Sequence, residues 1–150
     1  MKSLYTDASF DYTHTEKTIE NVVRGKIAIA GEGLEIIEKV AIGKVKGLRQ
    51  YINILELVAI ARAIEIAKER QFEGELKVTT DSTTAMTWAR AGKIKNKKVE
   101  TEAHVNAIGY LNKIKKDFGG TVTFNQVGRD FNPAGHLLAA ELEREAPHTK

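Results

Sequence analysis

The chain has 150 residues, 42% of them hydrophobic and 29% charged, a balance that fits one globular domain long enough to bury a core. With no Cys it has neither a disulfide framework nor a thiolate metal site, and no apolar run approaches the ~18 residues of a membrane-spanning helix. The N-terminal MKSLYTDASF lacks a long apolar core, so no signal peptide and a cytoplasmic location are expected. The net charge of +3 leans weakly toward polyanionic partners.

In chain order, SLYTDAS (3–9) predicts a short strand and residues 10–24 a polar loop. Residues 25–45 predict two strands around a tight turn at Gly31-Glu32-Gly33. NILELVAIARAIEIAKER (53–70) predicts a strong helix with Asn53 as its cap. LKVTTDS (76–82) is a strand running into a short helix, TTAMTWARAG. A longer helix follows over roughly 99–117, ended by Gly119-Gly120, and TVTFNQVG (121–128) is a fifth strand. The last helix opens after Asn132, which can cap it, with Pro133 at its first position and His136 in its first turn. The order β-β-β-α-β-α-α-β-α implies an antiparallel meander followed by helix-fed strands that can pair in parallel. The expected fold is α/β, a mixed five-stranded sheet flanked by helices in a single domain spanning 1–150. His14, His104 and His148 show no partner pattern and read as surface or helix-face residues.

Three acids stand out. On a helical wheel Arg62, Glu65 and Glu69 cluster on one side of their helix, whereas Glu56 lies about 150° away, beside Ala59, Ile60 and Ala63. An acid on an apolar face is costly unless it is paired, protonated or bound to a cation. The ordinary alternative is a first-turn acid favoured by the helix dipole, or one end of a capping box with Asn53. Asp7 sits near the end of the first strand and Asp81 at the end of the fourth, where α/β sheets place ligands, although Asp81 could also cap the helix after it. Three converging carboxylates without matching cations call for Mg²⁺ or Mn²⁺, and two such ions are the usual machinery of in-line phosphodiester displacement.

With these residues in view, the chain resembles ribonuclease H along nearly its whole length. The resemblance rests on YTDAS (5–9), on Asn53 and Glu56 with Ala59 and Ala63, on TTDSTTA (79–85), and on R-D-x-N-x-x-x-H-x-L-A (129–139). It implies a two-metal-ion endonuclease that cuts the RNA strand of RNA–DNA hybrids. By the resemblance Asp7 bridges both ions, and Glu56 and Asp81 hold the one on the leaving-group side. The position of a fourth acid, which holds the water-activating ion, is occupied by His136. Imidazole suits Mn²⁺ better than Mg²⁺, so a preference for Mn²⁺ is expected. Asp130, in the loop before the helix, is a candidate substitute acid. The family's usual Gly after the first Asp is Ala8 here, and DYTHTEKTIENVVRGK replaces its Gly-rich turn.

For the substrate, the resemblance places Asn53, Arg49 and Gln50 at the hybrid's minor groove and Arg129 in the loop before the last helix. RAGKIKNKK supplies Arg90, Lys93, Lys95, Lys97 and Lys98 where longer members carry a basic protrusion, the ordinary alternative being a solvated loop. Trp88 reads either as a support for substrate sugars or as a core residue. The expected partner is an RNA–DNA hybrid, with no membrane and a monomeric chain. Two alternatives stay open: a weakly active binding module of the same fold, and a nuclease of that fold acting on DNA.

Overall fold

The computed structural model describes residues 1–10, 22–43, 45 and 48–145. Most of the polar stretch predicted as a loop (11–21), His14 and His148 lie outside the described residues. Five strands form one sheet: β1 (Lys2–Phe10), β2 (Val22–Gly31), β3 (Leu34–Gly43), β4 (Glu75–Thr80) and β5 (Thr121–Gln126), in the order β3-β2-β1-β4-β5. β1, β2 and β3 pair antiparallel, and β4 pairs parallel with both β1 and β5, which is the predicted mixed sheet. The β2–β3 turn is Glu32-Gly33, closed by the Gly31–Leu34 pair. Both turn residues have positive φ, 50° and 80°, the twist that two-residue hairpin turns favour.

Four helices and a short 3-10 turn complete the chain: α1 (Leu48–Glu69), α2 (Thr83–Ala91), α3 (Glu102–Phe118), the turn at Arg129–Phe131, and α4 (Pro133–Glu145). α1 packs on β1, β2 and β4 on one side and on α2 and α3 on the other. It is therefore apolar over most of its circumference, with Leu55, Leu57, Ile60 and Ile64 fully buried. Along β1 the side chains alternate. Leu4 and Ala8 join the main core beneath α1, and Tyr5 joins a small cluster of Ala28, Ala30, Ala134 and Leu138 beneath α4. No helix among the described residues is long and apolar enough to cross a membrane.

Two expectations about α1 are corrected. It begins at Leu48, because Tyr51 and Ile54 extend the apolar pattern upstream, so Asn53 lies inside the helix and does not cap it. Glu56 consequently stands in the third turn, where neither a capping box nor the N-terminal dipole accounts for it. The cap of α2 is Ser82, whose side chain accepts from Ala85 N–H, and not Asp81. His104 is also corrected, from the surface to the core: it is fully buried and meets Trp88 edge-on at 5.7 Å. Its Nδ1 accepts from Thr101 N–H (3.1 Å), so Nε2 carries the proton and donates to Gln50 Oε1 (2.9 Å). Burial holds its pKa below the usual imidazole value, consistent with a neutral ring.

The charged side of α1 is tied to its neighbours. Arg62 Nε and Nη2 donate to the two oxygens of Glu38 on β3 (2.8 and 3.1 Å), and Nη1 donates to Glu65 (2.6 Å) and Glu69 (3.1 Å). Tyr110 of α3 donates to Glu65 at 2.9 Å. These hydrogen bonds, Glu38 foremost, hold the guanidinium above its ordinary pKa.

Candidate active site

β1 reaches past the end of β4. Pairing between them stops at Thr6–Thr80, while β1 stays paired with β2 as far as Phe10. The overhang leaves Ala8 N–H without a strand partner on the β4 side, and Glu56 Oε1 accepts it at 3.1 Å. Glu56 Oε2 lies 3.4 Å from Thr80 Oγ1, which itself accepts from Ser82 N–H at 3.1 Å. An acid from the α1 face of the sheet is thereby delivered to the sheet's end. Asp7 arrives from the opposite face and Asp81 from the first residue after β4.

Oxygens of Asp7, Glu56 and Asp81 lie within 4.8 Å of one another. Glu56 is 4% exposed, and among the described residues no cation forms an ion pair with any of the three. Burial first, then the charge of Asp7, pushes the Glu56 carboxyl well above the usual carboxylate range. Burial and Asp81 raise Asp7 in the same way, partly opposed by hydrogen bonds from Glu56 and Ala8 N–H and by the charge of Arg129. The first turn of α4 presses on Asp7 from the other side. A Cβ on Gly135 would lie 3.2 Å from Asp7 Oδ2, so glycine permits this close approach of the helix N-terminus to the acid. The acids line an open cleft of about 500 Å³ that also includes Arg129, Asp130 and His136.

His136 shares the cleft but is outside the group formed by the three acids. It is exposed, and its Nε2 lies 2.8 Å from the Asp130 carbonyl oxygen. A carbonyl only accepts, so Nε2 carries a proton, and in the neutral ring Nδ1 keeps the free lone pair. The Asp130 carboxylate is also outside the three-acid group.

No family model matches the sequence, and no curated protein matches it by sequence. Solved structures do match. RNase H1 from the halophilic archaeon Halobacterium salinarum NRC-1 superposes with a TM-score of 0.61 at 17% identity, over 97% of this chain and 98% of that one. LC11-RNase H1, isolated from compost by a metagenomic approach and solved in complex with an RNA/DNA hybrid, gives 0.58 at 19% identity, over 91% and 93%. The N-terminal RNase H domain of Rv2228c from Mycobacterium tuberculosis gives 0.55 at 14% identity, over 97% and 100%. The fold is that of ribonuclease H.

On this ribonuclease H fold the remaining sequence-selected residues are spread unevenly about the acids. Asn53 is nearly buried, one helical turn before Glu56. Arg49 is exposed in the first turn of α1, whereas Gln50 is engaged with His104. Arg129 is exposed at the rim of the cleft. Lys93, Lys95, Lys97 and Lys98 are exposed between α2 and α3, on a loop anchored by the fully buried Ile94, and Lys97 pairs with Glu100 at 3.3 Å. Arg90 is spent on structure: its guanidinium donates twice to the Phe124 carbonyl (3.2 and 2.8 Å), tying α2 to β5. Trp88, 4% exposed, is a core residue.

Three site neighbours have no part in the sequence reading of the acids: Thr80, Gly135 and Asn132. Thr80 stands inside the quoted TTDS, but nothing in a strand's alternation says that its hydroxyl meets a helix acid. Gly135 at the third position of a helix is a visible oddity, since glycine disfavours helix formation, and that signal was available. Asn132 was legible only as a cap.

Proposed function

We propose that this chain is a metal-dependent endonuclease that hydrolyses the RNA strand of RNA–DNA hybrids. The observation that carries the reading is the trio Asp7, Glu56 and Asp81, which lacks a cation partner among the described residues. The trio stands at the strand ends of a fold shared with a protein solved on an RNA/DNA hybrid. The donor set fits Mg²⁺ or Mn²⁺: it is all oxygen, and its buried member has no ion-paired cation among the described residues. Asp7, Glu56 and Asp81 would hold two such ions, with His136 beside them. Two ions bound there supply activation of the attacking water and stabilisation of the leaving oxygen.

The chain's own residues contribute position and charge. Ala8 N–H and Thr80 fix Glu56, so the carboxylate is already in place before substrate arrives. Arg129 offers a cation at the rim of the cleft for a substrate phosphate. Asn53, one turn from Glu56, and Arg49 are offered to the hybrid's minor groove, and the lysines of residues 93–98 to the sugar-phosphate backbone. Gln50 and Arg90 act indirectly, as supports of α1 and α2. His136, with Nδ1 free, either faces an ion or the substrate.

The deciding experiment is cleavage of an end-labelled RNA–DNA hybrid in Mg²⁺ and in Mn²⁺ by the wild type and by His136→Asp, with duplex DNA as control. The expected result is RNA-strand cutting that is faster in Mn²⁺ for the wild type, with the Mg²⁺ rate recovering in His136→Asp. Equal wild-type rates in both metals would remove His136 from the metal site. Hybrid binding with cutting only in His136→Asp would make the wild type a binding module, a reading favoured by the engagement of Nε2 with Asp130. Cutting of duplex DNA alone would overturn the hybrid assignment.

A further inference from the structure

Asn132, between the 3-10 turn and α4, is fully buried, and every polar atom it has is used. Its N–H donates to the Arg129 carbonyl (3.3 Å), and its carbonyl accepts from His136 N–H (3.1 Å). In the side chain Oδ1 accepts from Ala134 N–H (3.1 Å), while Nδ2 donates both to the Thr6 carbonyl (2.9 Å) and to Asp81 Oδ2 (3.2 Å). The partners dictate the amide's orientation, because Ala134 N–H can only donate and the Thr6 carbonyl can only accept. A helix cap needs one acceptor oxygen, and Ser or Asp would serve equally well. Only an amide adds the two donor hydrogens that this carbonyl and this carboxylate require. An Asp would oppose both of them, and a Ser is too short to span them.

We propose that Asn132 is a positioning residue of the acid site, which sets the affinity for divalent cations by tying Asp81 and the strand residue before Asp7 to the start of α4. The inference rests on the reading of the three acids as a metal-holding site. Thr6 immediately precedes Asp7, so one amide fixes the two aspartates relative to each other. One lone pair of Asp81 Oδ2 is thereby occupied, which orients the rest of the carboxylate toward the cleft. His136 is held by the same residue, through its N–H to the Asn132 carbonyl. Without the amide, Asp81 is free to rotate and the acids lose their common geometry, although the chain still caps α4.

The test is Mn²⁺ binding by calorimetry to the full chain, comparing the wild type with Asn132→Ser, which keeps a capping oxygen. The folded variant should bind Mn²⁺ about tenfold more weakly, the usual size of an effect transmitted through a ligand's own hydrogen-bond partner. In an Asp81→Ala background the same Ser substitution should cause a clearly smaller loss. An affinity within about twofold of wild type, less than half a kcal/mol, would overturn the proposal. Fully additive losses in the double variant would do the same. If Asn132→Ser fails to fold, the wild type decides: its Asn132 side-chain amide resonances should shift saturably as Mg²⁺ is added, and an unmoved pair overturns the assignment. Failure of the wild type to take up Mn²⁺ would instead remove the metal reading of the acids, and this inference with it.

Discussion

One helix carries two clusters of acids that are treated in opposite ways. On the outer side of α1, Glu38, Glu65 and Glu69 surround Arg62, each within 3.1 Å of its guanidinium. At the sheet's end Glu56 meets Asp7 and Asp81, and among the described residues no cation forms an ion pair with them. The first cluster raises the basicity of an arginine and joins α1 to β3 and, through Tyr110, to α3. The second raises the pKa of Glu56 and of Asp7. The chain is thus able to neutralise acids and does so where the result is stability. Three acids that share a cleft without an ion-paired cation among the described residues are what the proposed metal site requires.

Removing the uncompensated charge tests this contrast most severely. Glu56→Gln should lower hybrid cleavage by about a thousandfold or more while the protein stays folded, because the amide keeps the shape and loses the charge. A variant cutting at a tenth of the wild-type rate would end the case for the cluster. The same substitution should change how stability responds to pH. A carboxyl whose folded pKa is raised holds its proton more tightly in the folded state than in the unfolded chain, so its contribution is full at low pH. That contribution falls as pH rises from the unfolded value of about 4 toward the folded one. With metal chelated, the Tm of the wild type should therefore decline relative to Glu56→Gln as pH rises above about 4, and parallel curves would contradict it.

The compensated cluster should respond the other way. Arg62→Met should cost roughly 1–3 kcal/mol of stability, discounted because Glu69 is half exposed, and should leave cleavage intact at a temperature where the variant is folded. Denaturant melts and a hybrid assay read the two effects separately. Unchanged stability would mean that the network is ornamental. The smallest expected effect lies outside the cleft. Replacing Lys93, Lys95, Lys97 and Lys98 with Gln should weaken hybrid binding and flatten its salt dependence, by about 0.9 in log–log slope for each lost phosphate contact. Unchanged binding and slope would return this loop to the role of a solvated face.

Much of this was legible in the sequence, for identifiable reasons. The change of apolar period from two to 3.6 residues gave the elements, and the helix-fed later strands gave the mixed sheet. Glu56 betrayed itself by standing opposite Arg62 on the helix wheel, a signal independent of where the helix begins. The start of α1 was misplaced because Asn53 looks like a cap, whereas Tyr51 and Ile54 gain more by burial than Asn53 would by capping. His104 was misread because a buried imidazole needs partners distant in sequence, and Gln50 is such a partner. The bond from Asn132 to Asp81 depends on how α4 meets the sheet, which no local pattern encodes.

The bond between Asn132 and the Thr6 carbonyl joins residues 126 positions apart, the two extremes of the folded core. Closing so long a loop is entropically expensive and can occur only after residue 132 is available. During synthesis β1, β2 and β3 emerge before the turn that carries Asn132. A chain that has not reached Asn132 therefore holds Asp7, Glu56 and Asp81 without the hydrogen bonds from its amide to Thr6 and Asp81. On the proposed role of Asn132, the acid site is assembled only when α4 docks on the sheet.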